Sequence, residues 1–335
     1  VHRDLHKEYR RQRQMCIRDS ARDNQENLMA DSPLKVSYGE YIYESVPDWA
    51  PLPEGWEWNH VVGVGVDSKD RIFAYNRSNH PMIVLDKEGS ILDNWGQETF
   101  VTAHHLEIGP DDSIWTTDNG DHTVRKWTDS GDLLMTLGTP NEPAPEQSGE
   151  PFNKPTDIAF GLDGSIYVSD GYGNSRIHHF TPQGKLIRSW GERGTGPGQF
   201  MIPHGVAVDP TGLVYVCDRE NSRIQVFTPD GQYVTHWRGV HRPNQIVPAK
   251  DGAMFIPELG FRIGLGKDAA SINVATHNSG IKIMTKTGQW LGGWGSSTRD
   301  HGDLLAAHAV GIDSEGSLYI GETLDGARLQ KFVRV

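Results

Sequence analysis

Three histidines, His104, His204 and His308, share one position in a motif that the sequence repeats six times. The residues at this position are, in chain order, Val62, His104, Thr156, His204, Asn244 and His308. A ring of six copies would therefore place three imidazoles about threefold around its axis, the ligand set of a catalytic zinc site with an open fourth position. Another divalent transition metal is the alternative. A lone histidine would more simply bond a neighbouring carbonyl, but three at one register favour a metal. His105 should point the other way along its strand.

A second set of side chains follows the second strand of the copies. The first and fourth copies carry Arg77 and Arg219 just after the strand, and the third carries Tyr172 one residue later. This corner returns to the face from which the histidines project, because the second strand runs antiparallel to the first. Two guanidinium groups and a phenol over a metal suit an anionic substrate, with the phenol as base. The alternative is solvated arginines and a polar turn in DGYGNSRI.

The clearest copy spans residues 151–200, PFNKPTDIAFGLDGSIYVSDGYGNSRIHHFTPQGKLIRSWGERGTGPGQF. Its four short apolar runs are separated by turn residues, which predicts a four-stranded antiparallel sheet. Such units bury their apolar faces by stacking radially, so six copies predict an all-β, six-bladed β-propeller. The sixth copy ends after three strands. Residues 35–46, KVSYGEYIYESV, alternate like an edge strand and should complete the last blade, closing the ring.

Composition limits the partners. A net charge of −12 over 335 residues argues against nucleic acid, and a small anionic substrate would need local arginines. No apolar run is long enough to span a membrane, and two cysteines make no disulfide framework, so a cytoplasmic protein without membrane attachment is expected. Residues 1–33 are basic and share nothing with the repeats; we expect a disordered leader or artefact there, before one propeller domain over residues 34–335.

Two features of later copies carry further expectations. Residues 257–280 are inserted between the second and third strands of the fifth copy, and long insertions of repeats commonly lie on the binding face. They are a candidate lid. Arg176 and Arg223 recur at one repeat position, and we expect them to pair with Asp170 and Asp218.

At these residues the sequence resembles the NHL-repeat propellers, and among them the peptidyl-α-hydroxyglycine α-amidating lyases. The resemblance is carried by KPTDIAF, SDGYGNSRI, GQFMIPHGVAV and CDRENSRIQVF, and it extends more loosely over residues 60–333. It implies a zinc held by three histidines, which map onto His104, His204 and His308. It also implies a catalytic tyrosine and an active-site arginine pair, which map onto Tyr172, Arg77 and Arg219.

This chain departs from that family at several positions. Gly173 follows Tyr172 where the family's animal members have a cysteine, and Cys217 has no partner in the repeats. Ala309 stands where the family has an aspartate that binds a structural calcium, which argues against calcium here. No hydroxylating copper domain accompanies the repeats, so the resemblance implies a separate hydroxylating enzyme upstream.

The residues and the resemblance together predict a zinc-dependent lyase. It would cleave the C–N bond of an N-acyl-α-hydroxyglycine, a carbinolamide, into an amide and glyoxylate. Arg219 would hold the carboxylate and Tyr172 would accept the hydroxyl proton, since cationic neighbours allow a phenol to act as a base. Two alternatives remain open. One is a zinc-dependent hydrolase of a lactone, ester or amide on the same scaffold; the other is a non-catalytic NHL propeller used as a binding platform.

Overall fold

The computed structural model describes residues 34–36, 40–262 and 275–335. Within these ranges the chain forms antiparallel sheets and one 3-10 turn, Arg219–Asn221, with no α-helix. The strands before the first blade are β1 (Lys35–Val36) and β2 (Tyr43–Val46). The first three blades contain β3 (Gly63–Val66), β4 (Ile72–Tyr75), β5 (Met82–Leu85) and β6 (Ile91–Trp95); β7 (Ala103–Ile108), β8 (Ile114–Asp118), β9 (Thr123–Trp127) and β10 (Leu133–Leu137); and β11 (Asp157–Phe160), β12 (Ile166–Asp170), β13 (Arg176–Phe180) and β14 (Leu186–Trp190).

The last three blades complete a six-bladed β-propeller, so the predicted fold class is confirmed. Blade four contains β15 (Pro203–Val208), β16 (Val214–Asp218), β17 (Arg223–Phe227) and β18 (Tyr233–Trp237). Blade five contains β19 (Val247–Pro248), β20 (Ala253–Glu258), β23 (Gly280–Thr285) and β24 (Trp290–Trp294), with a two-stranded arm of β21 (Phe261–Arg262) and β22 (Ala275–His277). Blade six contains β25 (Ala307–Ile312), β26 (Leu318–Glu322) and β27 (Arg328–Arg334).

The burial of the strands follows their place in the blade. The second strands β12 and β16 are buried at every residue, because each lies between two neighbouring blades. Their sequences, IYVSD and VYVCD, supply the β-branched and aromatic residues that fit such a surface. Most residues of the outer strands β10 and β14 are partly or fully exposed. The apolar core is therefore divided among the interfaces between blades.

The two ends of the chain share the sixth blade. Strand β2 pairs with β27, with Tyr43 opposite Arg334 and Val46 opposite Lys331, and β1 adds an outer edge. Tyr43 is buried against the rings of Phe255 and Trp294 in blade five. The predicted closure of the ring by residues 35–46 is thus confirmed.

The carboxylates at the ends of the second strands fasten the loops between blades. Asp118 accepts hydrogen bonds from the backbone N–H groups of Val101 and Thr102, and Glu322 accepts from Leu305 and Ala306. Asp170, Asp218 and Glu258 accept equivalent bonds from the loops that precede their blades. These loops cross the face on which the site lies, so buried carboxylates hold that face in shape.

Of the two arginine–aspartate pairs expected at these corners, the structure contains one. Arg223 forms a buried ion pair with Asp218, Nε to Oδ2 2.7 Å, as predicted. The pairing of Arg176 with Asp170 is wrong: Arg176 donates from Nη1 to the carbonyl of Gly191, while Asn174 and His178 contact the Asp170 carboxylate. A neutral amide and an imidazole take the place of the guanidinium.

Glu258 gives the fold a pH dependence that can be measured. Burial raises the pKa of Glu258 to about 7, with Lys282 and the His241 N–H opposing the rise. The folded state therefore holds this proton more tightly than the unfolded chain, and the resulting stability is present below pH 4.5 and is lost as pH rises to about 7. The free energy of unfolding should therefore decline over this pH range. We expect Glu258→Gln to reduce that decline by about 1–3 kcal/mol.

Urea unfolding of both proteins from pH 4.5 to 8 measures the effect as a difference curve. Glu315→Gln is the matched control, because the Glu315 side chain is 68% exposed. Parallel stability curves for the wild type and Glu258→Gln would contradict the expectation.

Two sequence expectations lie largely outside the described residues. The leader assigned to residues 1–33 falls outside them, as does the centre of the candidate lid, residues 263–274. The insertion itself lies between β20 and β23, as predicted. Among the described residues, no helix has the length and apolar character needed to cross a membrane.

Candidate metal centre and anion site

Each of the three histidines lies at an irregularity of its strand. The residues before and after His104 pair with consecutive residues of β8, so His104 itself is skipped in the register. The same shift occurs at His204 in β15 and at His308 in β25, whereas β3 and β11 pair without one. A bulge of this kind re-aims a side chain. Three bulges at one register therefore turn three imidazoles towards the channel.

The three imidazoles converge. Their ring centroids are 4.8 Å apart for His104 and His204, 5.1 Å for His204 and His308, and 5.3 Å for His104 and His308. One nitrogen of each lies within 4.8 Å of the corresponding atoms of the other two, and all three residues are buried. The structure thus brings together the residues that the repeat register selected.

A backbone carbonyl fixes the orientation of each ring. The Nδ1 atoms of His104, His204 and His308 lie 2.7, 2.8 and 2.8 Å from the carbonyl oxygens of Thr156, Asn244 and Val62. Each acceptor occupies the histidine position in the next blade. A ring nitrogen that donates to a carbonyl leaves the other nitrogen unprotonated. All three Nε2 lone pairs are therefore available to bind one metal ion in the space between the rings.

The imidazoles are neutral near pH 7. Burial lowers the pKa of all three, and the charges of neighbouring histidines and arginines lower it further. The pKa of His308 falls to about 3. The neutral form is the one that binds a metal ion.

Tyr172 reaches the triad from a corner that requires two glycines. A Cβ atom on Gly171 would lie 2.4 Å from the Pro203 carbonyl oxygen, and one on Gly173 would lie 2.1 Å from Oδ1 of Asn153. Both glycines therefore let the corner pack against neighbouring loops. Gly173, the residue after Tyr172, therefore leaves no room for a side chain beside Asn153.

The phenol oxygen of Tyr172 lies beside two of the imidazoles. It is 3.1 Å from Nε2 of His104 and 3.1 Å from Nε2 of His204. Arg219 donates from Nη1 to the same oxygen across 3.2 Å, and its guanidinium carbon lies 5.4 Å from the centre of the phenol ring. The phenol thus stands between the nitrogen cluster and a cation.

Arg219 is held by a carboxylate that sequence reasoning missed. Its Nε donates to Glu220 across 2.9 Å, and Arg242 donates to the same carboxylate from Nη2 across 2.8 Å. Burial alone would raise the pKa of Glu220, but hydrogen bonds and charge from Arg242 and Arg219 lower it. The only sequence signal was the adjacency of Glu220 to Arg219; the contribution of Arg242 comes from a distant loop.

Arg77 approaches from the opposite side of the ring. Its Nε donates to the carbonyl of Ala103 across 2.8 Å, and its backbone N–H donates to the carbonyl of Asn59 across 2.6 Å. Burial lowers the pKa of Arg77, and the charge of Tyr172 opposes that change. Arg77 also acts electrostatically on His104 and His308. The two arginines of blades one and four therefore flank the triad and the phenol.

His105 does not join the triad but ties blades together. Its Nε2 lies 2.6 Å from Oδ1 of Asp157 in blade three, and the other oxygen of Asp157 accepts the backbone N–H of Val206 in blade four. Burial alone would lower the pKa of His105, but the Asp157 carboxylate raises it to about 9. His105 is therefore an imidazolium in a buried ion pair, a role for which it was not considered.

The donor set fits a borderline-soft divalent metal ion. Three neutral imidazoles with fixed tautomers are ligands for zinc and for several other transition metals. The calcium position of the related family offers no ligand here, because Ala309 is buried among Val61, Val64 and Tyr319. Cys217 is a free, buried thiol and adds no ligand.

Two segments of the chain, residues 152–180 and 200–227, match the NHL repeat family. They cover most of blades three and four. The protein is a six-bladed β-propeller that contains NHL repeats. The remaining blades of the NHL propeller keep the four-stranded plan while their turns and loops differ.

Curated proteins similar to this NHL propeller include amidating enzymes. It is 35% identical over 222 residues to the peptidyl-glycine alpha-amidating monooxygenase of Mus musculus, covering 55% of this chain and 22% of that protein. It is 30% identical over 194 residues to a probable peptidyl-alpha-hydroxyglycine alpha-amidating lyase of Caenorhabditis elegans, covering 50% and 55%. Each match spans less than two thirds of the relative.

A longer match carries no activity in its name. The NHL propeller is 29% identical over 309 residues to human NHL repeat-containing protein 3, covering 87% of this chain and 84% of that protein.

Solved structures show the same fold. A streptogramin B lyase superposes with a TM-score of 0.56 at 14% identity, over 91% of this chain and 99% of its own. A gluconolactonase from Xanthomonas campestris superposes with a TM-score of 0.60 at 14% identity, over 91% and 95%. One scaffold thus supports different chemistries, and the site must decide the function.

Proposed function

We propose that this NHL propeller is a zinc-dependent lyase that cleaves N-acyl-α-hydroxyglycines to an amide and glyoxylate. The observation that carries the proposal is the cluster of three Nε2 atoms with fixed tautomers, bordered by the Tyr172 phenol and the Arg219 guanidinium. The name of the similar worm protein, a probable amidating lyase, supports the same class of reaction.

His104, His204 and His308 would hold the zinc ion through Nε2. When bound, it would act as a Lewis acid towards the hydroxyl or carboxylate oxygen of the substrate. The protein supplies the rest of the site by positioning and by charge.

Arg219 would bind the substrate carboxylate. Its Nε is engaged by Glu220 and its Nη1 by Tyr172, and within the described residues Nη2 makes no hydrogen bond. A guanidinium nitrogen with a free N–H in a buried site forms a strong, charge-assisted bond to a carboxylate. Arg77 adds a second positive charge on the other side of the phenol.

Tyr172 would transfer the proton. Acting as a base beside the Arg219 guanidinium, its oxygen would take the proton of the substrate hydroxyl. The oxygen electron pair then forms the C=O bond of glyoxylate while the C–N bond breaks, and the nitrogen takes up a proton from Tyr172 to complete the amide. The reaction consumes neither an oxidant nor water. The hydroxyl of the substrate must be introduced earlier by a separate hydroxylation of an N-acylglycine.

Metal analysis and turnover of α-hydroxyhippurate test the proposal together. We expect one zinc per chain and equal amounts of benzamide and glyoxylate. Loss of metal from His204→Ala, with no turnover, would tie activity to the cluster. Zinc with hydrolysis of a lactone or ester instead would favour the hydrolase, and a chain that binds no metal after incubation with zinc would favour a binding platform.

Glu220 should act as a positioning residue for Arg219. Glu220→Gln removes the charge that holds the Nε of Arg219 and leaves Arg242 without its ion pair. Charge-assisted bonds of this kind are worth roughly 1.5–3 kcal/mol, so we expect kcat/KM to fall by about tenfold or more, mainly through KM.

The control for this prediction is Glu192→Gln, since the exposed Glu192 carboxylate accepts one bond from Gln199. Both variants should keep full metal content. A Glu220→Gln protein with unchanged KM and kcat would show that Arg219 keeps its position without the carboxylate.

A further inference from the structure

The backbone carbonyl that precedes each of the three histidines accepts a hydrogen bond from a side chain of the blade before it. The three carbonyls directly precede His104, His204 and His308 in the chain. The donor–acceptor pairs are Arg77 Nε with the Ala103 carbonyl at 2.8 Å, Thr156 Oγ1 with the Pro203 carbonyl at 3.0 Å, and Asn244 Nδ2 with the Ala307 carbonyl at 2.8 Å. Three side chains of different kinds therefore make the same contact at three equivalent places.

Each of these carbonyls lies beside a strand bulge. A bulge disrupts the ladder of hydrogen bonds locally, so backbone groups next to it need partners from elsewhere. In β7 the skipped residue is His104, and Ala103 is the paired residue directly before it. The Ala103 carbonyl and the His104 N–H belong to one planar peptide unit. A side chain that holds this carbonyl therefore restricts the direction in which the histidine ring can point.

The chemistry of the groups fixes the direction of the bonds from blades three and five. A carbonyl oxygen can only accept, so the amide nitrogen of Asn244 must face Ala307. The single hydroxyl proton of Thr156 lies near the carbonyls of Pro203 and Ser169. The Ser169 carbonyl already accepts the backbone N–H of Thr156 across 2.7 Å, which leaves the hydroxyl proton for Pro203.

Blades three and five each act on a histidine to either side. The carbonyl of Thr156 lies on Nδ1 of His104 in the blade before, while the Thr156 side chain holds the peptide that precedes His204 in the blade after. Asn244 makes the same two contacts, with its carbonyl on His204 and its side chain on the peptide that precedes His308. Both residues are buried. One residue thus orients two ligands.

Blade one divides the two contacts between two residues. Val62 occupies the repeat position there, and its carbonyl lies on Nδ1 of His308. Its apolar side chain cannot donate, and Arg77 supplies the bond to Ala103 in its place. The six bonds form a closed circuit around the ring, in which every histidine is held from both neighbouring blades.

We propose that Thr156 and Asn244, together with Arg77, are positioning residues of the metal centre. Each holds the peptide that precedes one histidine, so that the three Nε2 atoms face one another before a metal ion arrives. Ligands that are oriented in advance need no ordering when the ion binds, so each of these side chains strengthens metal binding. The inference rests on the metal part of the proposed function and not on the lyase reaction.

Thr156→Val and Asn244→Leu test the proposal, because each removes one donor and keeps the backbone carbonyl. Partners of this kind behind the ligands commonly change metal affinity by 10–100-fold, so we expect the Kd for zinc to rise by about 10–100-fold in each variant. Thr156→Ser keeps the hydroxyl and should bind zinc as the wild type does. Competition with a chromogenic zinc chelator measures all four proteins without any turnover.

Thr116→Val is the matched control for a loss of stability alone. Thr116 is likewise buried, and its hydroxyl accepts the indole N–H of Trp127 across 2.9 Å, away from the peptides that precede the histidines. Urea unfolding of the metal-free proteins should show comparable losses of stability in Thr116→Val and Thr156→Val. Only Thr156→Val should bind zinc more weakly.

The visible absorption of bound Co²⁺ is a second measurement, since its bands report the coordination geometry. We expect weaker or shifted bands in Thr156→Val and Asn244→Leu, and wild-type bands in Thr156→Ser and Thr116→Val. A purely structural role of the two donors would leave these bands unchanged.

Weaker zinc binding and altered Co²⁺ spectra in the two donor variants, with both controls unchanged, support the proposal. Wild-type affinity and spectra in the donor variants overturn it, as do an equal loss of affinity in Thr116→Val and a wild type that binds neither ion. If one donor variant does not fold, the other decides. A wild type that binds zinc without turning over α-hydroxyhippurate, while the donor variants bind zinc weakly, removes the lyase function and leaves the positioning residues in place.

Discussion

Tyr172→Phe should retain stoichiometric zinc while turnover of α-hydroxyhippurate falls by about 10²–10⁴-fold, the usual contribution of a positioned acid–base group. Phenylalanine keeps the ring that packs at the corner and removes only the oxygen that lies 3.1 Å from two imidazole nitrogens. The ligands and their backbone acceptors are untouched. The loss should therefore appear in kcat with the metal content unchanged.

The matched control is His204→Ala, which removes a ligand and should lose the metal as well as the activity. Metal content is measured on both proteins beside the rate. Near-normal turnover by Tyr172→Phe would show that the phenol is not the base. That result would favour a hydrolase that uses a metal-activated water.

Removal of residues 1–47 should abolish cooperative folding. The deletion takes away β2, which pairs with β27 over four residues, and with it the buried ring of Tyr43. Loss of a buried aromatic side chain alone costs roughly 3–5 kcal/mol, a large part of the 5–15 kcal/mol that stabilises a typical protein. The deletion would also expose the backbone edge of β27 to pairing with other chains.

Removal of residues 1–28 should leave thermal unfolding unchanged, because the strands of the ring begin later. Tyr43→Ala in the full chain is the milder test of the same contact and should lower the melting temperature by several degrees. Circular dichroism and calorimetry follow both changes. Normal folding without residues 1–47, or unfolding on loss of residues 1–28, would contradict closure by β2.

The repeat register was sufficient to predict the fold and to bring His104, His204 and His308 together. A repeat fixes the position of a residue in its blade, so equal positions in alternate blades must converge on the axis. The register gave no sign of the strand bulges that turn the rings inward. It also set His105 aside, because side chains alternate along a strand, and so it gave no sign of the ion pair between His105 and Asp157.

The side-chain partners were harder to predict because they depend on loops that do not repeat. Arg223 and Arg176 occupy one repeat position, yet only Arg223 pairs with the acidic residue of its corner. The loop that follows blade three begins at Gly191 and places a different carbonyl within reach of Arg176. The bond from Arg242 to Glu220 likewise depends on the loop between blades four and five.

The hydrogen bond from His308 to the carbonyl of Val62 crosses the seam where the last blade meets the first. Residue 308 is synthesised long after residue 62, so the third ligand acquires its orientation only when the last blade has left the ribosome and has met the first. A nascent or prematurely ended chain would present two oriented histidines at most. We therefore expect tight metal retention to begin with closure of the ring, so that bound metal would report that the first and last blades have joined.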